Sequence, residues 1–333
     1  MGRGVTFASL GALGIGAVPT LAVRSAELGY DSFWTAETTG PEAFSLLQLA
    51  GSASPGLALG TGVLALQLRT PMLTAMGAAT LAASSPGRQV FLGVGISSPV
   101  VVGDWHGAPY RTRPIAQVRE FLTLVNLCLD GDSVTFEGDF YSCRKFRLGV
   151  RFDRRPSLVL GALNQQMLQL AGELADGVLL NYLPATAVPW CIEQVRSGEA
   201  RTGRAPGSCR IHAYVHVGVC DPGDARLPAQ RDLFSYAVVP AYAGAFTRAG
   251  FGDEVHACVE AHSRRDRDGA LAAISDRMIG AIDICGDAAH VAAAVAAYEA
   301  AGVDDAVVMG LPWGAERTRI VEDTLVAAAP GTR

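Results

Sequence analysis

The sequence predicts an α/β fold, a (β/α)8 TIM barrel with insertions after its fourth and seventh strands, forming one domain over residues 1–333. Two apolar runs end in glycine, Leu57-Ala58-Leu59-Gly60-Thr61-Gly62-Val63-Leu64 and Val90-Phe91-Leu92-Gly93-Val94-Gly95-Ile96-Ser97-Ser98, and each precedes a helix-length segment. Unbroken apolar runs suit strands buried on both faces, and glycine suits points where backbone bends or approaches a ligand. The same strand-then-helix rhythm recurs eight times, and barrels of this kind commonly use a chain of 333 residues as one domain. Such a barrel carries its site at the carboxyl ends of the strands.

The first strand is placed at residues 5–7 and a helix at 18–28, which Gly29 stops. A strand at 32–34 and a helix at 41–53 lead to the third strand, ending at Leu64. Pro71 opens the helix 71–83, where a missing N–H costs nothing. The fourth strand is 89–94, a helix covers 113–129, and the alternation over 133–146 around Glu137-Gly138-Asp139 predicts a hairpin. That hairpin is the first insertion, about 131–150. The rhythm resumes with strands at 157–161, 177–180 and 211–219 and helices at 165–175 and 187–196. Residues 224–279 hold more helical pattern than one connection needs, including 233–248, so a second insertion of about 224–280 is expected near the strand ends, sized for a lid. Asp287 caps an alanine-rich helix, Gly302 ends it, and the eighth strand is 305–310 before a last helix.

Half of the residues are hydrophobic, ample for a large core, and a net charge of -5 without any Lys/Arg cluster argues against a nucleic-acid surface. The seven cysteines are scattered without a C-x-x-C pair, as reduced packing residues would be. No signal-peptide pattern and no apolar run of membrane-spanning length occurs, so a cytoplasmic protein without a membrane partner is expected.

Several strings, in order along the chain, resemble the luciferase-like family: Leu28-Gly29-Tyr30-Asp31-Ser32-Phe33-Trp34-Thr35-Ala36-Glu37-Thr38, Leu59-Gly60-Thr61-Gly62-Val63, Leu92-Gly93-Val94-Gly95, Phe136-Glu137-Gly138-Asp139-Phe140-Tyr141 and Ala175-Asp176-Gly177. The stretch from Ser97 through Trp105 and His106 to Gly107 is similar to the branch that uses coenzyme F420, an 8-hydroxy-5-deazaflavin. The resemblance implies a homodimeric barrel with the cofactor at the strand ends. It implies a bulge with a non-prolyl cis peptide after the third strand, here Gly62-Val63, against the concave face of the ring. Thr61, Gly62, Val63, Gly95, Ser97 and Ser98 are then expected near the ring. Gly161, Ala162, Leu163 and Asn164 match the place where relatives hold the coenzyme tail, with backbone N–H groups and a helix N-terminus facing phosphate.

Glu37 stands just past the second strand, and Thr38 replaces the histidine usual in the family. Glu37 is a candidate acid if burial raises its pKa, or a structural partner of Arg69. His106 is the rival proton donor, since imidazole titrates near neutrality; a backbone-bonded loop histidine is the plain alternative. His212, Tyr214 and His216 share one face of the seventh strand, but no carboxylate or cysteine motif completes a metal site, and a polar barrel interior is expected. Phe234, Tyr236, Tyr242 and Phe246 suit either a substrate mouth or helix packing.

The leading expectation is an oxidoreductase that transfers hydride between F420 and a small organic substrate with an electrophilic C=C, C=N or C=O. The alternatives are an FMN-dependent luciferase-like monooxygenase and a non-catalytic cofactor-binding protein. A doubly wound nicotinamide enzyme, suggested by Gly14-Ile15-Gly16, is disfavoured by Pro19 at the third glycine position and by the eight units.

Overall fold

The computed structural model of the protein describes residues 2–331. The strands are β1 (Gly2–Thr6), β2 (Ser32–Thr35), β3 (Ala58–Thr61), β4 (Leu64–Ala65), β5 (Val90–Gly95), β6 (Val134–Glu137), β7 (Ser142–Phe146), β8 (Ser157–Gly161), β9 (Gly177–Leu180), β10 (Arg210–Val219), β11 (Asp283–Gly286) and β12 (Asp305–Gly310). Around the ring β1, β2, β3, β5, β8, β9 and β10 follow one another, and β12 joins β10 back to β1, all in parallel register. This is the eight-stranded barrel that the sequence predicts, and it excludes the open doubly wound sheet. Strands such as β2 and β9 are buried along their whole length because the barrel interior covers one face and helices the other.

The helices between strands are α1 (Val18–Glu27), α2 (Ala43–Ala53), α3 (Pro71–Ala83), α4 (Pro114–Leu129), α5 (Gln165–Leu174) and α6 (Val188–Arg201). Their starts follow local chemistry. Thr70 accepts the Leu73 N–H at 3.2 Å ahead of Pro71, and Asn164 accepts the Met167 N–H at 3.0 Å ahead of α5. The second insertion supplies α7 (Pro222–Ala237), α8 (Pro240–Phe246), α9 (Gly252–Ser263), α10 (Arg267–Ala272) and α11 (Asp276–Ile282), and α12 (Ala288–Ala300) and α13 (Arg317–Ala327) complete the chain's helices. Among the described residues, no helix is long and apolar enough to cross a membrane.

Two features position the site. The first is the bulge between β3 and β4. Gly60 pairs with Phe91 and Leu64 with Val94, so four steps on one side face three on the other, and the extra residue leaves the ladder. The Thr61 hydroxyl replaces the lost pairing, bonding both the N–H and the carbonyl of Gly93 at 2.8 Å. The Gly62-Val63 peptide in the bulge is cis, as expected. The second is a plug inside the barrel. Trp34 stacks on Phe91 with centroids 5.1 Å apart, and Val159, Leu179, Tyr214 and Val307 close around them. The cavity described below lies against this plug and shares Tyr214 and Met309 with it.

Four local expectations are corrected. The third strand does not run unbroken to Leu64, because the bulge divides it. The helix expected over 233–248 is two helices, since Pro240 has no N–H with which to continue α7. The segment before His106 is a π-helical turn, Val100–Trp105, rather than plain loop. Just past the second insertion, where the sequence marks no strand, residues 283–286 form β11, which pairs with the upper half of β10 above β9. The hairpin β6–β7 forms as predicted, and the insertion helices share a second apolar core that includes Tyr182, Leu233, Phe246 and Met278.

Candidate active site

A cavity of 440 Å³ opens at the carboxyl ends of the strands, within the size range of small-molecule sites. The segments after β1, β2, β9 and β12 wall it, with Gly62 from the bulge, Tyr214 and His216 from β10, and Asp232 and Tyr236 from α7. Tyr214 is held in the plug, its hydroxyl 3.2 Å from Thr6 Oγ1.

The two residues nominated as acids stand behind this wall rather than in it. Glu37 meets Arg69 at 2.8 and 3.4 Å and accepts the Ala43 N–H at 3.0 Å, so both carboxylate oxygens are committed. Arg69 also reaches Glu42 at 2.6 Å. His106 is exposed and places Nε2 2.7 Å from the Thr38 carbonyl oxygen. Thr38 and Thr39 border the cavity. Glu37 and His106 therefore brace one loop from two sides.

Of the residues expected at the ring, Gly62 borders the cavity. Val63, Gly95 and Gly161 come together at the rim: a side chain on Gly95 would stand 2.8 Å from Val63 Cγ2, and one on Gly161 3.3 Å from Val63 Cγ1. Thr61 is spent on the bulge. Ser97 exchanges backbone bonds with the Gln67 amide, its N–H donating at 3.2 Å, and the Ser98 hydroxyl accepts the Val101 N–H at 3.2 Å. Ala162 continues the ladder to Leu179. Leu163 and Asn164 lie at the start of α5, beside a second cavity of 310 Å³ that Leu163, Trp190 and Arg248 help to line. There the Arg248 guanidinium donates to the Leu163 carbonyl at 2.6 Å and lies 4.5 Å over the Trp190 ring.

A further group was not found by sequence reasoning. Parallel register sets His216 level with Asp283, and Nδ1 lies 2.9 Å from Asp283 Oδ1. His216 Nε2 lies 2.8 Å from Asn181 Oδ1. Asp283 is fully buried, and burial pushes its carboxyl above the ordinary range while His216 opposes the shift. Asp232 accepts the Tyr182 hydroxyl at 2.8 Å; burial, then the charge of Asp283, push it up to about 6. The Tyr182 ring lies 4.2 Å from that of His216 and 3.8 Å from that of Tyr236. His216, Asp232 and Asp283 bring ligand-type atoms within 4.8 Å of one another. Both imidazole nitrogens already face oxygens, so the arrangement is that of a proton network. The usable signal was Asp283 itself, a lone carboxylate between Ile282 and Ile284. His212 lies deeper, 3.1 Å from Asp305 and edge-on to Phe91. Tyr236 borders the cavity, whereas Phe234, Tyr242 and Phe246 pack in the insertion core.

The profile of the luciferase-like monooxygenase family matches residues 6–305. The chain belongs to that family. It is 29% identical over 310 residues to a Mycobacterium tuberculosis protein described as a coenzyme F420-dependent oxidoreductase, covering 86% of this chain and 89% of that one. It is 27% identical over 300 residues to 5,10-methylenetetrahydromethanopterin reductase of Archaeoglobus fulgidus, covering 88% and 89%. Among solved structures, the coenzyme F420 dependent tetrahydromethanopterin reductase from Methanopyrus kandleri superposes with a TM-score of 0.81 at 22% identity, over 98% of this chain and 97% of that one. An F420-dependent secondary alcohol dehydrogenase superposes with a TM-score of 0.75 at 18% identity, over 99% and 100%. These two likenesses establish the shared fold.

Proposed function

We propose that this luciferase-like protein is an oxidoreductase that transfers hydride between coenzyme F420 and a small organic substrate held in the 440 Å³ cavity. The observation that carries the reading is the Gly62-Val63 bulge bordering that cavity, in a chain similar to a protein described as a coenzyme F420-dependent oxidoreductase and to a methylenetetrahydromethanopterin reductase. The residues fit the cofactor. A flat ring suits backbone at Gly62-Val63, and Gly95 and Gly161 leave the rim beside Val63 free of bulk. The tail suits Gly161, Ala162, Leu163 and Asn164, where the start of α5 and the Arg248 guanidinium offer positive charge to phosphate.

When bound, F420 supplies two-electron hydride chemistry at a carbon and reacts poorly with oxygen. The protein supplies orientation. Glu37 with Arg69, and His106 through Thr38, hold the loop after β2 as a fixed wall, and the buried Tyr214 floor sets the depth to which a substrate enters. The exposed apolar residues Leu49, Leu73 and Met76 on the neighbouring helices α2 and α3 support a homodimer as part of the same proposal. Fluorescence titrations of the purified protein with F420 and, separately, FMN test the reading. Saturable F420 binding much tighter than FMN binding is expected; preference for FMN would replace it with the monooxygenase reading.

A further inference from the structure

Hydride delivery to a C=N or C=O carbon leaves charge on the heteroatom, and a proton must reach it from a positioned acid. Neither Glu37 nor His106 borders the cavity. The titratable residues that do are Asp232, His216, Tyr182, Tyr214 and Tyr236, with no lysine or arginine among the described lining residues. His216 has oxygens on both sides, and the Tyr182 N–H, donating to the same Asn181 Oδ1 at 3.0 Å, fixes the orientation of that amide. Nε2 therefore carries a proton toward Asn181, and one more proton lies between Nδ1 and Asp283. The pair is neutral as a whole, which suits its burial. Asp232 stands within 4.8 Å of both partners, and Tyr182 claims one of its oxygens, leaving the other for a ligand.

We propose that Asp232 is the acid that protonates the acceptor's heteroatom as hydride arrives, with His216 and Asp283 as its positioning residues. The inference rests on the hydride-transfer reading above. The incoming hydride forms a C–H bond and opens the C=N or C=O π bond. The Asp232 O–H bond breaks and its proton forms the N–H or O–H bond. The acceptor is reduced by two electrons, the reduced coenzyme is oxidised by two, and Asp232 regains a proton from solvent. Burial favours the protonated acid, the Asp283 end of the pair adds to it, and the His216 end and the Tyr182 hydroxyl oppose it. Tyr236 and Tyr242, the other titratable groups facing it, are kept protonated by burial. With no lysine or arginine among the described lining residues to pair an anionic group, phosphorylated or carboxylated acceptors are disfavoured.

Infrared titration of the carboxylic-acid C=O band tests the acid without turnover. The wild type is expected to show an acid titrating near pH 6, absent in Asp232→Asn and moved to higher pH in Tyr182→Phe, which lacks the hydroxyl that stabilises the carboxylate. Reduction of 2-methyl-1-pyrroline and cyclohex-2-en-1-one by reduced F420 is the second arm: in Asp232→Asn, kcat falls about 100-fold while F420 affinity holds. An acid near pH 6 that survives in Asp232→Asn, a wild-type Asp232 titrating in the ordinary carboxylate range, or a kcat loss under about threefold overturns the proposal. Failure of the wild type to bind F420 overturns the cofactor reading instead, and the infrared arm still decides the acid.

Discussion

Gly93 is the point at which the bulge is most exposed to a single change. A Cβ there would lie 1.8 Å from the Thr61 carbonyl oxygen, a backbone atom that has no rotamer to swing into. Ordinary carbon–oxygen contact is about 3.3–3.6 Å, so the strands must part by roughly 1.5 Å. That movement also breaks both bonds from the Thr61 hydroxyl. Overpacking costs about 1–3 kcal/mol and each lost buried hydrogen bond about 1 kcal/mol, giving about 3–5 kcal/mol for Gly93→Ala. With about 2.1 cal/mol/K of unfolding entropy per residue, the melting temperature falls by about 4–7 °C. Thermal unfolding followed by circular dichroism measures this, with an F420 fluorescence titration on the same samples. Because the displaced residues adjoin Gly62-Val63, the F420 Kd is expected to rise about tenfold or more, or about 1.4 kcal/mol. Thr61→Val keeps the shape and loses only the hydroxyl bonds, costing about 2 kcal/mol. A Gly93→Ala protein melting within about 1 °C of wild type, with unchanged F420 affinity, would refute the account of the bulge.

If Glu37 acts only through Arg69, then Glu37→Gln, Arg69→Gln and the double variant lower kcat by similar factors, with F420 affinity nearly intact; a Glu37→Gln loss far larger than that of Arg69→Gln assigns Glu37 a role of its own. Arg248→Ala is expected to weaken F420 binding about tenfold and to leave a tail-less deazaflavin riboside unaffected, and equal losses for both ligands contradict the tail assignment. Burial opposes the Asp305 carboxylate, but His212 and Arg210 outweigh it and hold it below the ordinary range. Its stabilisation is thus present above the unfolded carboxyl's pKa and lost as pH falls through the lower folded value; urea unfolding across that acid window should show a loss for wild type that is smaller for Asp305→Asn.

The barrel was legible because its strands are buried on both faces, so Leu158-Val159-Leu160 or Gly177-Val178-Leu179-Leu180 stand out as unbroken apolar runs against capped helices. β11 was hidden because Asp283 interrupts its apolar pattern, and the reason for that carboxylate lies 67 residues away at His216. Asp232 reaches the cavity only because the insertion core packs on Tyr182, a tertiary contact with no local sequence pattern. Glu37 and His106 were found as polar residues at strand ends, and their partners, Arg69 and the Thr38 carbonyl, decide whether each faces ligand or scaffold. Strand-end position marks the neighbourhood of a site; hydrogen-bond partners settle which side chains are available to it.

A crystal structure of the complex with F420 is the decisive measurement. The deazaflavin ring is expected against the Gly62-Val63 backbone in the 440 Å³ cavity, with its tail toward Leu163, Asn164 and Arg248. A ring bound away from the bulge, with the cavity beside Asp232 unused, would contradict it.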